Sequence, residues 1–230
     1  FLMGCQKEEY PAEYIEGVDQ CFIHKKGNHM STPYTFFPPK FTFKNTRFYG
    51  MQFDVIFDDR CLYQHSDQDS LDWNKLLVLS DDWKRADKNS LMPAWRSRDG
   101  QSIDVAWYGN ENYHLVLPDE NFDVVRKIKP DQVVQFNVVF DELQQTAHTW
   151  VFLDGSPVTQ RIYNLGYNPN GFRIFDPWFG GNKTAPHEMG FCVFTTLNLG
   201  DLEPLENYVS VERKEVPSRI IIQSMLNITE

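Results

Sequence analysis

Three tryptophans and a few charged side chains carry most of the chemistry this sequence offers. Trp95, Trp107 and Trp178 each bring a flat aromatic plane, and the axial C–H faces of sugar rings stack on such planes; the same side chains also suit the interior of a β-sandwich. Arg96 and Arg98 flank a turn at Asp99-Gly100. A guanidinium there either grips a ligand carboxylate or pairs with a neighbour such as Asp99. Asp54 and Asp104 are two carboxylates of the type that hydrolyse glycosides, though nothing in their spacing demands it. His65, His114, His148 and His187 lie scattered, without the close His or carboxylate spacing of a zinc site. No G-x-S-x-G elbow and no phosphate-cradling glycine loop is present.

The elements that must position them are strands. Phe48 to Phe57 alternates cleanly: Tyr49, Met51, Phe53, Val55 and Phe57 fall on one face, and Gln52, Asp54 and Ile56 on the other. The first set reads as core and the second as the wall of a half-polar groove. Further strands are expected at Cys21–His24, Lys40–Asn45, Trp95–Tyr108, Tyr113–Leu117, Pro130–Phe140, Thr149–Leu153, Gly171–Phe175 and Met189–Thr195. Val209–Arg213 and Ser218–Gln223 suit a last hairpin or edge pair, and Phe36–Pro39 a turn. Asp154-Gly155 is a hairpin turn. Residues 61–90 form a long polar insertion, interrupted by the apolar run Leu76–Leu79; an excursion of that length either covers a site or is simply solvated. About a dozen short strands with turn residues between them suit an all-β, jelly-roll β-sandwich of two antiparallel sheets, a fold that would resemble that of concanavalin A.

At 230 residues the chain suits one such domain, assigned to 21–230. With 18 Phe, 10 Tyr and 6 Trp it has enough large side chains to fill a two-sheet core and still line a face. A net charge of −10 argues against a nucleic-acid partner, which would want a basic surface; an acidic glycan is still bound if the few cations line one groove. The start, Phe1-Leu-Met-Gly-Cys5 and then Gln-Lys-Glu-Glu, resembles the end of a bacterial lipoprotein signal with Cys5 as the lipidated residue. On that reading residues 1–20 are remnant and tether, membrane contact comes only through Cys5, and the protein is extracytoplasmic: a surface or periplasmic lipoprotein, or secreted. Without Cys5, the remaining Cys21, Cys61 and Cys192 allow one disulfide and one buried thiol, or no disulfide; with it, two bridges in three connectivities.

Five landmarks in order resemble the jelly-roll polysaccharide lyases, the group that includes alginate and glucuronan lyases. They are Gln52-Phe-Asp-Val-Ile-Phe57, Asn74-Lys-Leu-Leu77, Trp95-Arg-Ser-Arg-Asp-Gly100, Trp150-Val-Phe-Leu-Asp-Gly155 and Trp178-Phe-Gly-Gly181. The resemblance implies β-elimination across a uronic acid. One group neutralises the C5 carboxylate, a second takes the C5 proton, and a third protonates the leaving O4. Carried over by position, Lys75 matches the family's loop lysine and Ser90 its serine, while Met92 stands where an arginine belongs. The family's Tyr-x-Tyr pair becomes Ala106-Trp-Tyr108 if the turn holds one extra residue, and otherwise Val105 and Trp107; only Tyr108 matches. Arg96 and Arg98 are the candidate replacements for the missing arginine.

The resulting expectation is a polysaccharide-lyase-like protein that binds an acidic, uronate-containing chain in a concave groove, and cleaves it if the altered set still suffices. Lys75, Tyr108, Arg96 and Arg98 are its candidate catalytic residues, and Gln52, Asp54, Ser90, Trp107 and Trp178 its candidate substrate contacts. The departures at Met92 and Ala106 favour the alternative, a non-catalytic glycan-binding lipoprotein of the same fold. No cofactor and no catalytic metal are expected, with a structural calcium left open.

Overall fold

The computed structural model describes residues 15–16, 20–33, 40–42, 48–64, 71–81, 85–167 and 171–198. Cys5, the Phe36–Pro39 turn, His65 and both late strands expected after residue 199 lie outside the described residues, as do residues 65–70 and 82–84 of the 61–90 insertion. In chain order the strands are β1 (Ile15–Glu16), β2 (Gln20–His24), β3 (Ser31–Thr32), β4 (Lys40–Thr42), β5 (Phe48–Phe57), β6 (Asn74–Lys75), β7 (Val78–Ser80) and β8 (Ser90–Arg98). They continue as β9 (Ser102–Glu111), β10 (His114–Leu117), β11 (Val125–Ile128), β12 (Val133–Asp141), β13 (Thr146–Leu153), β14 (Ser156–Asn164), β15 (Gly171–Phe175) and β16 (Met189–Asn198).

Two antiparallel sheets result. The first runs β14-β13-β12-β5-β16-β2-β3, with β1 added beside β16. The second runs β10-β9-β8-β7-β15-β4, with β11 beside β9 and β6 beside β8. The chain leaves the first sheet for the second at β4, returns at β5, crosses again for β6 to β11, returns at β12, visits the second once more at β15 and closes in the first at β16. That shuttling between packed sheets is a jelly roll. Two turns owe their shape to the Asp-Gly pairs noted in the sequence. Asp99 and Gly100 have φ of 55° and 65°, and Asp154 and Gly155 have φ of 50° and 80°. Left-handed backbone at both positions matches the right-handed twist of a strand pair and is least costly for Asp followed by Gly.

Alternation decides what the sheets bury. Met51, Phe53, Val55 and Phe57 of β5, with Val134, Phe136, Val138 and Phe140 of β12, point between the sheets and are almost completely buried. From the second sheet Leu91 and Trp95 of β8 and Ile103, Val105 and Trp107 of β9 meet them. Trp95 is 0% exposed, with Phe57, Tyr63, Phe179 and Phe191 around its ring at centroid distances of 5.3 to 6.4 Å. Pairs of this kind add about 0.5–1.5 kcal/mol each beyond the area they bury.

The strand at Thr149–Leu153 is longer than expected, starting at Thr146, because Ala147 continues the inward row. The stretch 74–80 is not a solvated excursion. It forms β6 and β7 of the second sheet, and Leu76, Leu77 and Leu79 belong to the core. Cys21 and Cys192 face each other across β2 and β16 and form a disulfide, while Cys61 is a buried free thiol.

Candidate functional site

Residues paired across an antiparallel ladder share a face, so the registers show where each candidate side chain points. On the outer face of the second sheet, Ser90 lies opposite Asn110, Met92 opposite Tyr108, Ala94 opposite Ala106, and Arg96 opposite Asp104. Lys75 of β6 pairs with Ala94. On its other side Lys75 forms a β-bridge to Trp178, and Trp178 a further bridge to Met30. A transverse row therefore crosses this face: Met30, Trp178, Lys75, Ala94, Ala106. Tyr108 stands one rung away, over the small side chains of the row.

Lys75 is the centre of the arrangement. Its Nζ donates to the carbonyl oxygens of Trp73, at 2.6 Å, and Gly180, at 3.4 Å, and lies 4.9 Å from the centroid of the Tyr108 ring. Burial of the ammonium lowers its pKa from 10.5 to about 8, against the opposing pull of the Asp72 carboxylate. Burial, and then the same carboxylate, raises the Tyr108 phenol above its ordinary value. At neutral pH the pair is thus a desolvated cation beside a protonated phenol. Such a pair can neutralise a carboxylate and deliver a proton.

The backbone beneath it is fixed by buried side chains. Asn74, adjacent to Lys75 and wholly buried, donates from Nδ2 to the Tyr63 hydroxyl at 2.8 Å and accepts the Gly180 N–H on Oδ1 at 2.6 Å. Gly180 has a φ of 62°, and a Cβ there would lie 2.5 Å from the Lys183 carbonyl oxygen, so the turn admits only glycine. A Cβ on Gly181 would come within 2.7 Å of an Asp72 carboxylate oxygen. Trp178 is 41% exposed and lies flat on the His29 ring, with centroids 5.0 Å apart and planes 9° apart. His29 in turn bonds through Nδ1 to the Phe179 oxygen at 2.8 Å. This makes a stiff aromatic platform beside the lysine.

The structure divides the residues singled out from the sequence. Lys75, Tyr108 and Trp178 come together; Ser90, buried and bonded to Asn110 Nδ2 at 3.3 Å, lies further along the same face. Arg96 and Arg98 also emerge here but are already engaged. Arg96 is 3% exposed and binds Asp104 at 3.4 Å and Glu120 at 2.7 Å, with its guanidinium 4.2 Å above the Trp73 ring. Arg98 binds Asp104 at 2.7 Å. Contrary to the expectation, the two arginines serve the protein's own carboxylates rather than standing in for the arginine missing at Met92.

Trp107 is likewise no substrate platform. It shares a face with Ile103 and Val105, fills the core edge-on to Phe53 and Phe136, and donates Nε1–H to the Trp150 oxygen at 3.0 Å. Its edge reaches a shallow recess, with room for little more than a water molecule, lined with Leu117, Asp123, Thr149, Thr159 and Arg161, which contains none of the other candidates.

Gln52 and Asp54 belong to the other sheet altogether. They lie on the outer face of the first sheet, where Asp54 accepts from Gln135 Nε2 at 2.9 Å and from Gln52 Nε2 at 3.3 Å. They form no common groove with Lys75.

Sequence reasoning missed Asp72, His29, Asn74 and Tyr63. The double glycine at 180–181 was the available signal for the close approach of Asp72 and Lys183 to that turn; nothing local marks His29.

No family model matches the sequence, and no curated protein matches it. Among solved structures, the chain is similar to an alginate lyase in complex with dimannuronate, at 10% identity over 78% of this chain and 74% of that one, with a TM-score of 0.47. It is similar also to the alginate lyase from Klebsiella pneumoniae, at 6% identity over 65% and 58%, TM-score 0.44. A functionally unknown protein from Saccharomyces cerevisiae gives 12% identity over 80% and 91%, TM-score 0.43. The reading of the site rests on its own geometry.

Proposed function

We propose that this is a polysaccharide-lyase-like protein which holds an acidic, uronate-containing chain across the outer face of its second sheet. The observation that carries this reading is Lys75: a cation drawn out of water, stacked on Tyr108 and one strand away from an exposed, braced tryptophan. A sugar carboxylate on Nζ restores the solvation the ammonium has lost, and the ring of an adjoining sugar covers Trp178. In an elimination, Lys75 would neutralise the C5 carboxylate, and Tyr108, from its small ionised fraction, would take the C5 proton and return it to O4 as the C4–O4 bond breaks and the C4=C5 bond forms; neither task calls for a cofactor. The second reading, binding without cleavage, is favoured by Met92, which faces Tyr108 where the lyases carry an arginine.

For location we propose an extracytoplasmic setting, with lipidation at Cys5 as its anchor. The Cys21–Cys192 disulfide supports this, because such bonds persist in oxidising compartments.

The test is incubation with alginate, glucuronan, hyaluronan and heparin-type chains, following the ultraviolet absorbance of the unsaturated product alongside calorimetric binding. An absorbance rise that vanishes in Lys75→Ala and Tyr108→Phe establishes the lyase. Binding with a flat absorbance trace, weakened by about 2 kcal/mol (roughly thirtyfold) in Lys75→Ala, establishes the binding protein. Silence in both assays removes the glycan reading.

A further inference from the structure

We infer that the site selects an acidic sugar flanked by neutral sugars, as in a chain alternating uronate with hexosamine, and disfavours a homopolymer of uronates. This rests on the proposed function and concerns the charge balance of the same face. Along the row Met30, Trp178, Lys75, Ala94, Ala106 the only charge is Lys75. Among the described residues, the arginines of the next rung are engaged by carboxylates of the protein, Arg96 by Asp104 and Glu120 and Arg98 by Asp104. Arg126, beyond them, lies 3.6 Å from Glu120.

Beside the lysine sits a carboxylate within electrostatic reach of it but outside ion-pair contact. Asp72 makes no hydrogen bond or ion pair among the described residues. It rests against Gly181, where a Cβ would meet its Oδ2 at 2.7 Å, and its charge is felt by both Lys75 and Tyr108. The site therefore presents one cation and one anion. A single sugar carboxylate is accommodated on Nζ, while Asp72 remains to accept hydroxyl or amide hydrogens. The platform on the other side is uncharged surface: Trp178 stacked on His29.

Neighbouring strands are about 4.8 Å apart, comparable with the length of one sugar ring, so a ring over Trp178 directly adjoins the one whose carboxylate meets Lys75. In a homopolymer that adjoining ring brings a second carboxylate. It would face the aromatic platform or Asp72, inside the roughly 10 Å over which charges act at moderate salt. The protein's net charge of −10 adds to the repulsion. An alternating chain puts a neutral ring there instead, whose apolar face suits the indole.

The experiment is calorimetric titration of the whole protein with hyaluronan, glucuronan and alginate oligosaccharides of equal length. Hyaluronan is expected to bind at least about tenfold more tightly. Asp72→Asn should narrow the gap by tightening the two homopolymers, and Trp178→Ala should narrow it by weakening hyaluronan alone. Equal or tighter binding of the homopolymers to the unaltered protein overturns the inference while leaving the proposed function standing. A gap that both variants leave unchanged also overturns it, since the selectivity would then arise elsewhere. Binding of none of the three overturns the inference, and if a heparin-type chain is not bound either, the underlying reading falls with it.

Discussion

The two outer faces of the sandwich are built by the same rule and differ in what they do with polar groups. On the first sheet Gln52, Asp54, Gln135 and Asn137 form a polar cluster that is all but buried, with amide donors turned onto Asp54. Both amide atoms of Asn137 lack a partner among the described residues. On the second sheet the polar groups fall into two kinds. Arg96, Asp104 and Glu120 neutralise one another, whereas Lys75 and Asp72 form no ion pair and have aromatic rings to one side. A polar outer face is thus not in itself a site. The distinction lies in whether charge is spent inside the protein or left facing a ligand.

The largest effect should come from breaking the spent charge. Asp104 is wholly buried and holds two arginines, one of them also buried. Asp104→Asn leaves buried positive charge poorly compensated, and the chemical-denaturation midpoint should fall by an amount equivalent to about 3 kcal/mol. Glycan affinity should survive in the fraction that stays folded, since neither arginine is assigned to the ligand. A variant that keeps full stability but loses binding would reverse the assignment and return the arginines to the site.

Much of this division was legible in the sequence. The alternation in β5 correctly separates Phe53 and Val55 from Gln52 and Asp54, because one face of a strand is dry and the other is not. It says nothing about which of two sheets a strand joins, and so Gln52 and Lys75 could be assigned to one groove. Trp107 was readable too. It shares parity with Ile103 and Val105, and that pattern outweighs the attraction of a tryptophan as a sugar platform. The pairing of Arg96 with Asp104 was not readable, because it depends on Gln101 being an extra residue in the turn after Asp99-Gly100, a choice the sequence leaves open. The platform was not legible. His29, Asp72 and Trp178 meet Lys75 through β-bridges and a glycine turn joining distant segments, and no local pattern encodes such contacts.

The next effect contrasts the two faces directly. Gln52→Ala, on the first sheet, should leave affinity for an acidic glycan within about twofold, against the roughly thirtyfold loss expected for Lys75→Ala. Titrating pH sharpens this. A lysine whose pKa is lowered to about 8 is charged below that pH and neutral above it, while a uronate stays ionised throughout. Affinity should therefore be level up to about pH 8. Beyond it, affinity should fall about tenfold per unit, until it reaches the level of Lys75→Ala. Lys75→Arg, which keeps its charge, should flatten the profile. A profile that stays level in the unaltered protein would show that Lys75 does not carry the ligand's charge.

The smallest effect tests the buried cluster from the opposite direction. Asn137 is 0% exposed, and neither its Nδ2 nor its Oδ1 is satisfied. A buried amide in that state has lost its hydration and gained nothing in return. Its ladder neighbours on this face are Gln52 and Trp150, and Gln52 Oε1 is itself without a partner. Replacing Asn137 by leucine, which branches at the same carbon although its methyls are bulkier than the amide atoms, removes the unsatisfied amide and adds apolar contact with Trp150. Stability should rise by about 1 kcal/mol, seen as a higher denaturation midpoint at unchanged slope. The opposite result, a loss of that size, would mean that the amide is hydrogen-bonded in solution and that the first sheet's outer face holds an organised polar network. Removing polarity would then weaken both faces, and the contrast between them would reduce to which one meets the ligand.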